Sequence, residues 1–337
     1  MIITVMVLLM AALAGRWVWM RIGASSTEFT EDSRVLLIPS GSGFEAVIDS
    51  LRANQTLGDE RMFRLLAERK NYVGRVKPGR YRIKRGTSMN ALINMLRAGE
   101  QEPVNVTFTN IDHLPELAGR VSQYLEADSL TFLRAFSDPE LHREVNLDRN
   151  TFISLFIPNT YQFWWTTTPA QFIERMRKEH DGFWTEARVA KAKERGLTPT
   201  EVSTLASIVQ AETMRMPDAP RIAGVYLNRL RVGMPLQADP TLKFATGRMD
   251  AQRVLNTDKL VDSPYNTYKY TGLPPGPINM PEPRFLEAVL NAEEHDHFYF
   301  VAKADMSGYS EFAKSYEQHL VNARKYQRAL DQRGIRR

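Results

Sequence analysis

The 337-residue chain contains no cysteine, which excludes disulfides and thiolate metal sites. It has six histidines. His295 and His297 stand two apart on one side of an expected strand, and spacing suggests no third ligand, so no metal site is expected. Neither Gly-x-Ser-x-Gly nor Ser-x-x-Lys occurs, which leaves serine nucleophiles unsupported. There is no Walker sequence. Gly41-Ser42-Gly43 lacks the third glycine and the Lys-Ser/Thr ending, and reads as a helix-capping turn. No cofactor is expected. Charge of one sign is not concentrated either: 44 Lys and Arg against 39 Asp and Glu give +5, with a pI near 9.3. Mild basicity suits an anionic polymer, an anionic membrane surface or nucleic acid. The basic residues are spread rather than striped with aromatics, so no nucleic-acid partner is expected. What remains is ordinary globular composition, 43% hydrophobic and 25% charged, in a chain long enough for two or three domains.

Long apolar runs are absent with one exception. Met1 to Ala14 carries no charge, and Gly15, Arg16, Trp17-Val18-Trp19-Met20 and Arg21 follow. A spanning helix needs about 20 apolar residues, and tryptophans favour the membrane interface. A cleaved signal peptide is the alternative. It would want a basic n-region and small cleavage-site residues, where this chain has Trp17 and Trp19. The expectation is an uncleaved transmembrane anchor at residues 1–20 and a polar linker at 21–33. Arg16 and Arg21 follow the apolar run, which by the positive-inside rule opposes export of the body. A start upstream of Met1 would supply the missing basic flank.

Residues 34–103 read as one compact α+β module with an internal repeat. Ile38, Gly41, Phe44, Ala46, Ile48, Leu51, Arg52 and Ala53 match Ile83, Gly86, Met89, Ala91, Ile93, Leu96, Arg97 and Ala98, 45 residues on. Each copy is strand, glycine turn, amphipathic helix. The remainder, 104–337, reads as mixed α+β. A strand is expected at 104–108, helices at 114–125 and 129–136, and one long helix at 169–194. The aromatics of Phe156 to Trp165 suit either a core or a sugar-stacking loop. Near the end, 297–302 and Ser310-Glu311-Phe312 read as a hairpin, and 315–332 as a helix.

A helix is marked most clearly at Thr198-Pro199-Thr200-Glu201, where Thr198 is N-cap, Pro199 takes the first turn and Glu201 completes a capping box. Along it Leu205, Ile208, Val209 and Glu212 fall on one face. A carboxylate on an apolar face, in a last turn where the helix dipole opposes its charge, has its pKa raised and can serve as a general acid. A glutamate bound to a nearby Arg, or simply solvated, fits the same segment. Asp218 is the expected cap of the next helix. Ser263 to Ile278 is a Pro/Gly-rich loop bearing Tyr265, Tyr268 and Tyr270, stiff and rich in hydroxyls and aromatic faces, which suits a carbohydrate groove.

Several segments resemble the YceG-like (MltG) endolytic murein transglycosylases. They are Phe156-Ile157-Pro158-Asn159-Thr160-Tyr161, Leu205 to Thr213, Gly224-Val225-Tyr226-Leu227-Asn228-Arg229-Leu230, Gly233 to Thr241, Ser263 to Tyr268, Gly272 to Ile278 and His297 to Val301. The resemblance covers nearly all of the chain after the linker. It implies a membrane anchor, a LysM-like module at 34–103 and a YceG-like catalytic domain at 104–337. It also implies a lyase that cuts the MurNAc-GlcNAc β-1,4 bond within nascent peptidoglycan strands, leaves 1,6-anhydroMurNAc ends and limits strand elongation. Glu212 falls on the family's catalytic glutamate. Asn228, Gln237, Asp239, Tyr265, Asn266, Thr267, Tyr268, Gly276 and Pro277 become expected substrate-binding residues. The implied setting is the cell inner membrane, single-pass, with the catalytic domain on the extracytoplasmic side, near peptidoglycan synthases. Gln210 and Asn159 stand where charged residues are frequent in the family. A hydrolytic muramidase and a non-catalytic peptidoglycan-binding scaffold are the alternatives. A lysozyme-type hydrolase uses two carboxylates; one glutamate, acid and then base, suffices when the sugar's own C6 hydroxyl attacks.

Overall fold

The computed structural model describes residues 2–251 and 254–333; within the first helix only the backbone is described at Ile2, Ala14, Trp17, Val18, Trp19 and Arg21. The chain divides into two compact units. The first comprises residues 1–106, 121–128 and 161–168, and the second 107–120, 129–160 and 169–337.

The first unit begins with α1 (Ile2–Gly23), a helix of 22 residues. Ile3, Val5, Leu8, Leu9 and Leu13 are exposed on it. No helix among the described residues is long and apolar enough to cross a membrane. The anchor expected at 1–20 thus has its helix but no described stretch that meets that requirement, and the side chains of Trp17 and Trp19 lie outside the described residues. The stretch after it is packed rather than free: Ser26 and Phe29 are buried, and Ser26 N–H donates to the Thr87 carbonyl at 2.9 Å.

Next come β1 (Ser33–Ile38), α2 (Phe44–Ala53), α3 (Glu60–Arg69), β2 (Gly79–Lys84) and α4 (Met89–Ala98). β1 and β2 pair antiparallel from Ser33 opposite Lys84 to Ile38 opposite Gly79. The sequence repeat is a structural one. Ile38, Ile48 and Leu51 are buried in the same core as Ile83, Ile93 and Leu96. Gly41 and Gly86 occupy equivalent turns at φ 78° and 80°, a backbone region that favours glycine.

β3 (Val104–Phe108), α5 (Leu114–Ser122), α6 (Ser129–Phe136), α7 (Pro139–Glu144) and β4 (Asn159–Phe163) follow, with β3 beside β4. Phe156 packs among Phe136, Phe152 and Phe172 with ring centroids 5.2–6.2 Å apart, which is a core role for that aromatic segment. The long helix expected at 169–194 is two: α8 (Pro169–Phe183) and α9 (Glu186–Glu194). Thr185 breaks it, turning extended and capping α9 by accepting from Arg188 N–H.

The second unit is built on α10 (Pro199–Glu212), packed by α11 (Ala219–Arg231), α12 (Asp239–Ala245) and α13 (Pro283–Leu290). Every residue from Val202 to Val209 is buried, so this part of α10 is buried on all sides rather than along one face. Each fully buried Leu, Ile or Val there contributes about 1.5–3 kcal/mol. Ser203, Thr204 and Ser207 are tolerated inside because each hydroxyl donates to a carbonyl three or four residues back. β5 (Tyr299–Ala302) and β6 (Ser310–Ala313) form the expected antiparallel hairpin, with Tyr299 opposite Ala313, and α14 (Tyr316–Gln332) packs on it.

Candidate active site

The position of Glu212 follows from how α10 begins and ends. Thr198 Oγ1 accepts from Glu201 N–H at 3.3 Å, and Glu201 Oε2 accepts from Thr198 N–H at 2.8 Å, closing the capping box. Pro199 takes the first position, where no N–H is needed. Glu212 is the last helical residue; Thr213 is extended at φ −146°. Thr213 Oγ1 then accepts from Arg215 N–H at 2.9 Å and fixes the exit.

Glu212 keeps partial access to solvent, yet protein atoms surround its carboxyl. Burial pushes its pKa up from 4.5 to about 7. The Tyr226 hydrogen bond opposes that rise, the negative charge of Asp239 reinforces it, and the cations Arg229 and Lys243 pull the other way. The carboxyl is therefore poised between acid and base near neutral pH. Tyr226 Oη donates to Glu212 Oε1 at 2.9 Å. Its ring is 1% exposed and meets Phe300 edge-on at 5.9 Å. Burial, then the neighbouring carboxyl, raises the phenol well above its ordinary value, so it stays protonated.

Arg229, on the same face of α11 as Tyr226, is a buried cation. It donates to the carbonyls of Phe298 at 2.7 Å and Leu236 at 2.6 Å, and lies 5.2 Å over the Tyr299 ring. Burial lowers its pKa. Those bonds tie α11 to the approach to β5 and to the segment entering α12. Asp239 opens α12, where the helix dipole favours a negative charge. It is exposed and accepts from Tyr268 Oη at 2.5 Å.

The loop carrying Tyr268 is held from beneath. Asn266 is fully buried; its amide donates to the carbonyls of Lys259 at 3.0 Å and Val261 at 2.8 Å, and its oxygen accepts from Tyr268 N–H at 3.0 Å. Thr267 Oγ1 accepts from Ala238 N–H at 3.0 Å and pairs with Thr241 Oγ1 at 2.8 Å. Farther on, Ile278 N–H donates to Ser207 Oγ at 3.0 Å, and Asn279 donates to the Ser207 carbonyl at 3.0 Å. Gln210 Oε1 accepts from Glu282 N–H at 2.8 Å. The loop is thus stapled to α10. Gly276 must be glycine for space, because a Cβ there would lie 2.2 Å from the Asn150 carbonyl oxygen.

The ten residues singled out from the sequence therefore divide. Glu212, Asp239 and Tyr268 share one electrostatic neighbourhood. Gln237 is exposed beside them with a left-handed backbone at φ 50°. Tyr265 is half-buried with its ring 4.6 Å from Phe244. Asn228, Asn266, Thr267, Gly276 and Pro277 are buried, and their places are structural. Asn228 spends its amide on the carbonyls of His295 at 2.8 Å and His297 at 3.0 Å. The side chains of Asn228, Asn266 and Thr267 are engaged in hydrogen bonds to the protein's own backbone. Asp218, expected to cap α11, instead accepts from Ser310 N–H at 2.6 Å. Among the described residues no group of three or more His, Asp or Glu is placed to hold a metal ion.

Tyr226, Arg229 and Ser207 were not singled out for function by the sequence. Tyr226 and Arg229 are three apart on a helix, which puts them on one face, but nothing local marks that face as meeting Glu212. Two cavities lie elsewhere. One of about 640 Å³ is lined by Arg195, Leu227, Arg231, Glu293 and His295, and one of about 470 Å³ lies among Asp262, Pro264, Tyr270 and Pro275; neither includes Glu212.

Residues 36–325 match the profile of a family described as the YceG-like family. A Bacillus subtilis (strain 168) protein named endolytic murein transglycosylase is 30% identical, over 86% of this chain and 83% of that one. A Streptococcus pneumoniae serotype 2 protein of the same name is 28% identical over 85% of this chain, which spans 57% of that longer protein. The crystal structure of a yceG-like protein from Listeria monocytogenes superposes with a TM-score of 0.58 at 26% identity, covering 87% of this chain and 99% of that one.

Proposed function

The chain belongs to the YceG-like family, and on that premise we propose that it is a lytic transglycosylase of peptidoglycan with Glu212 as its acid and base. The observation that carries the assignment is the enclosed Glu212 carboxyl, held at about 7 by burial and hydrogen-bonded by Tyr226. Glu212 gives its proton to the glycosidic oxygen between MurNAc and GlcNAc as the C1–O bond breaks. The carboxylate then takes the proton of the same sugar's C6 hydroxyl while that oxygen bonds to C1. The product is a 1,6-anhydro end, Glu212 is reprotonated, and no water is consumed. Exposed Asp239 and Gln237, with half-buried Tyr268 and Tyr265, form the face offered to the glycan; Asn228, Asn266, Thr267, Gly276 and Pro277 hold that face in shape.

The proximity of Asp239 favours one alternative, a two-carboxylate muramidase. Product mass separates the two, since anhydro ends are one water lighter than reducing ends. The assignment itself is tested by Glu212→Gln, expected to lose on the order of 10²–10⁴ in rate while keeping fold and glycan binding. Near wild-type cleavage by that variant would sink it.

The setting we propose is the cytoplasmic membrane, with a single anchor, the catalytic domain outside and the strands cut as the synthases release them. Supporting this are the exposed apolar side chains of α1, which want an apolar environment. Residues 34–103 are proposed as the LysM-like module. The duplicated strand-turn-helix unit with its own core supports that reading.

A further inference from the structure

Glu212 has two carboxyl oxygens, and they differ in surroundings. Oε1 accepts from Tyr226 Oη at 2.9 Å, while no described group hydrogen-bonds Oε2. We infer that Tyr226 is a positioning residue that reserves Oε1 as a permanent acceptor and leaves Oε2 to carry both proton transfers. This rests on the reading of Glu212 as acid and base.

The argument is geometric first. Tyr226 is 1% exposed in the middle of α11, and its ring is fixed edge-on against Phe300. Its hydroxyl cannot swing away without opening the core. It also cannot become an anion at working pH, because burial and the adjacent carboxyl both oppose ionisation. It is therefore always a donor. In a neutral carboxyl group the carbonyl oxygen is the good acceptor and the hydroxyl oxygen the donor. A fixed donor at Oε1 makes Oε1 the carbonyl and places the acid proton on Oε2. In the first half-reaction that proton passes from Oε2 to the glycosidic oxygen. The bond from Tyr226 then becomes charge-assisted and strengthens just as negative charge appears. In the second half the C6 hydroxyl returns a proton to Oε2. One oxygen thus faces the sugar throughout, and the carboxyl need not rotate between steps.

The other charged and titratable groups facing Glu212 are Arg229 on α11, Asp239 and Lys243 on α12, and Tyr268 on the loop. None of them hydrogen-bonds the carboxyl, so their influence survives a change at Tyr226.

Tyr226→Phe keeps the ring and removes only the hydroxyl. The expected result is a fall in kcat on the order of tenfold with KM unchanged. The alkaline limb of the pH–rate profile moves up, because the lost bond was lowering the Glu212 pKa. A stronger donor at the same place, 3-fluorotyrosine at position 226, moves that limb down and leaves the packing intact. A limb that stays put in both variants overturns the inference, whatever happens to kcat, since a merely structural tyrosine would not move it. Glu212→Gln in the same assay separates the two levels. If it still cleaves, the reading of Glu212 fails. If it is inactive while the tyrosine variants keep the wild-type limb, only the role of Tyr226 fails.

Discussion

A carboxyl group kept protonated by burial weakens the fold that buries it, and Glu212→Gln relieves that weakness in a pH-dependent way. In the unfolded chain Glu212 ionises near 4.5; in the folded chain it holds its proton to about 7. Below 4.5 both states are protonated and the group contributes no difference. Between the two values the unfolded chain releases a proton that the folded chain keeps, so stability falls as pH rises. Above 7 the fall is complete. At 1.36 kcal/mol per pH unit the interval corresponds to about 3 kcal/mol, and the partial solvent access of Glu212 reduces it to roughly 2 kcal/mol. Glutamine has nearly the same shape, still offers Tyr226 an acceptor oxygen and has no proton to lose. Glu212→Gln is therefore expected to match wild type at pH 4 and to exceed it by roughly 2 kcal/mol at pH 8. Urea denaturation of both chains at pH 4, 6 and 8 measures this, because shared titrations cancel in the difference. A gain that is the same at every pH, or a loss at pH 8, refutes the claim that burial opposes the charge of Glu212.

Two further substitutions probe the loop that carries Tyr268. Gly276→Ala drives a methyl group into the Asn150 carbonyl oxygen, where 2.2 Å is available, and is expected to lower stability by about 3 kcal/mol, read as a fall in Tm. Ser207→Ala leaves the buried Ile278 N–H without its 3.0 Å acceptor and is expected to lose about 1–3 kcal/mol in a denaturant titration. If Ser207→Ala is neutral, the Ser207 hydroxyl does not hold the loop.

What the sequence revealed follows the range of the interactions concerned. The start of α10 was legible because its capping box is closed within Thr198 to Glu201, and the glycine turns of the repeat because Gly41 and Gly86 answer to local backbone geometry. Two local signals were outweighed by their neighbours. Thr185 stops a helix inside a run of good helix formers, and Asp138 with Pro139 starts α7 inside a run dense in charged residues. Asp218 fails as a cap for the opposite reason: its carboxylate is taken by Ser310, 92 residues away, and no local rule anticipates that. The site divides the same way. The raised pKa of Glu212 was foreseen from an apolar face and a last helical turn, yet that face belongs to a helix buried on every side from Val202 to Val209, and burial is the largest cause of the rise. The role proposed for it rests on the family resemblance and not on spacing. The contact that completes it, from Tyr226, depends on how α10 and α11 pack in the folded chain. Asn228, Asn266 and Thr267 carry the converse lesson. A buried backbone must have its hydrogen bonds satisfied, and these side chains meet that need through partners that no local pattern names. A substitution at any of them should therefore reach the glycan only through the loop it supports.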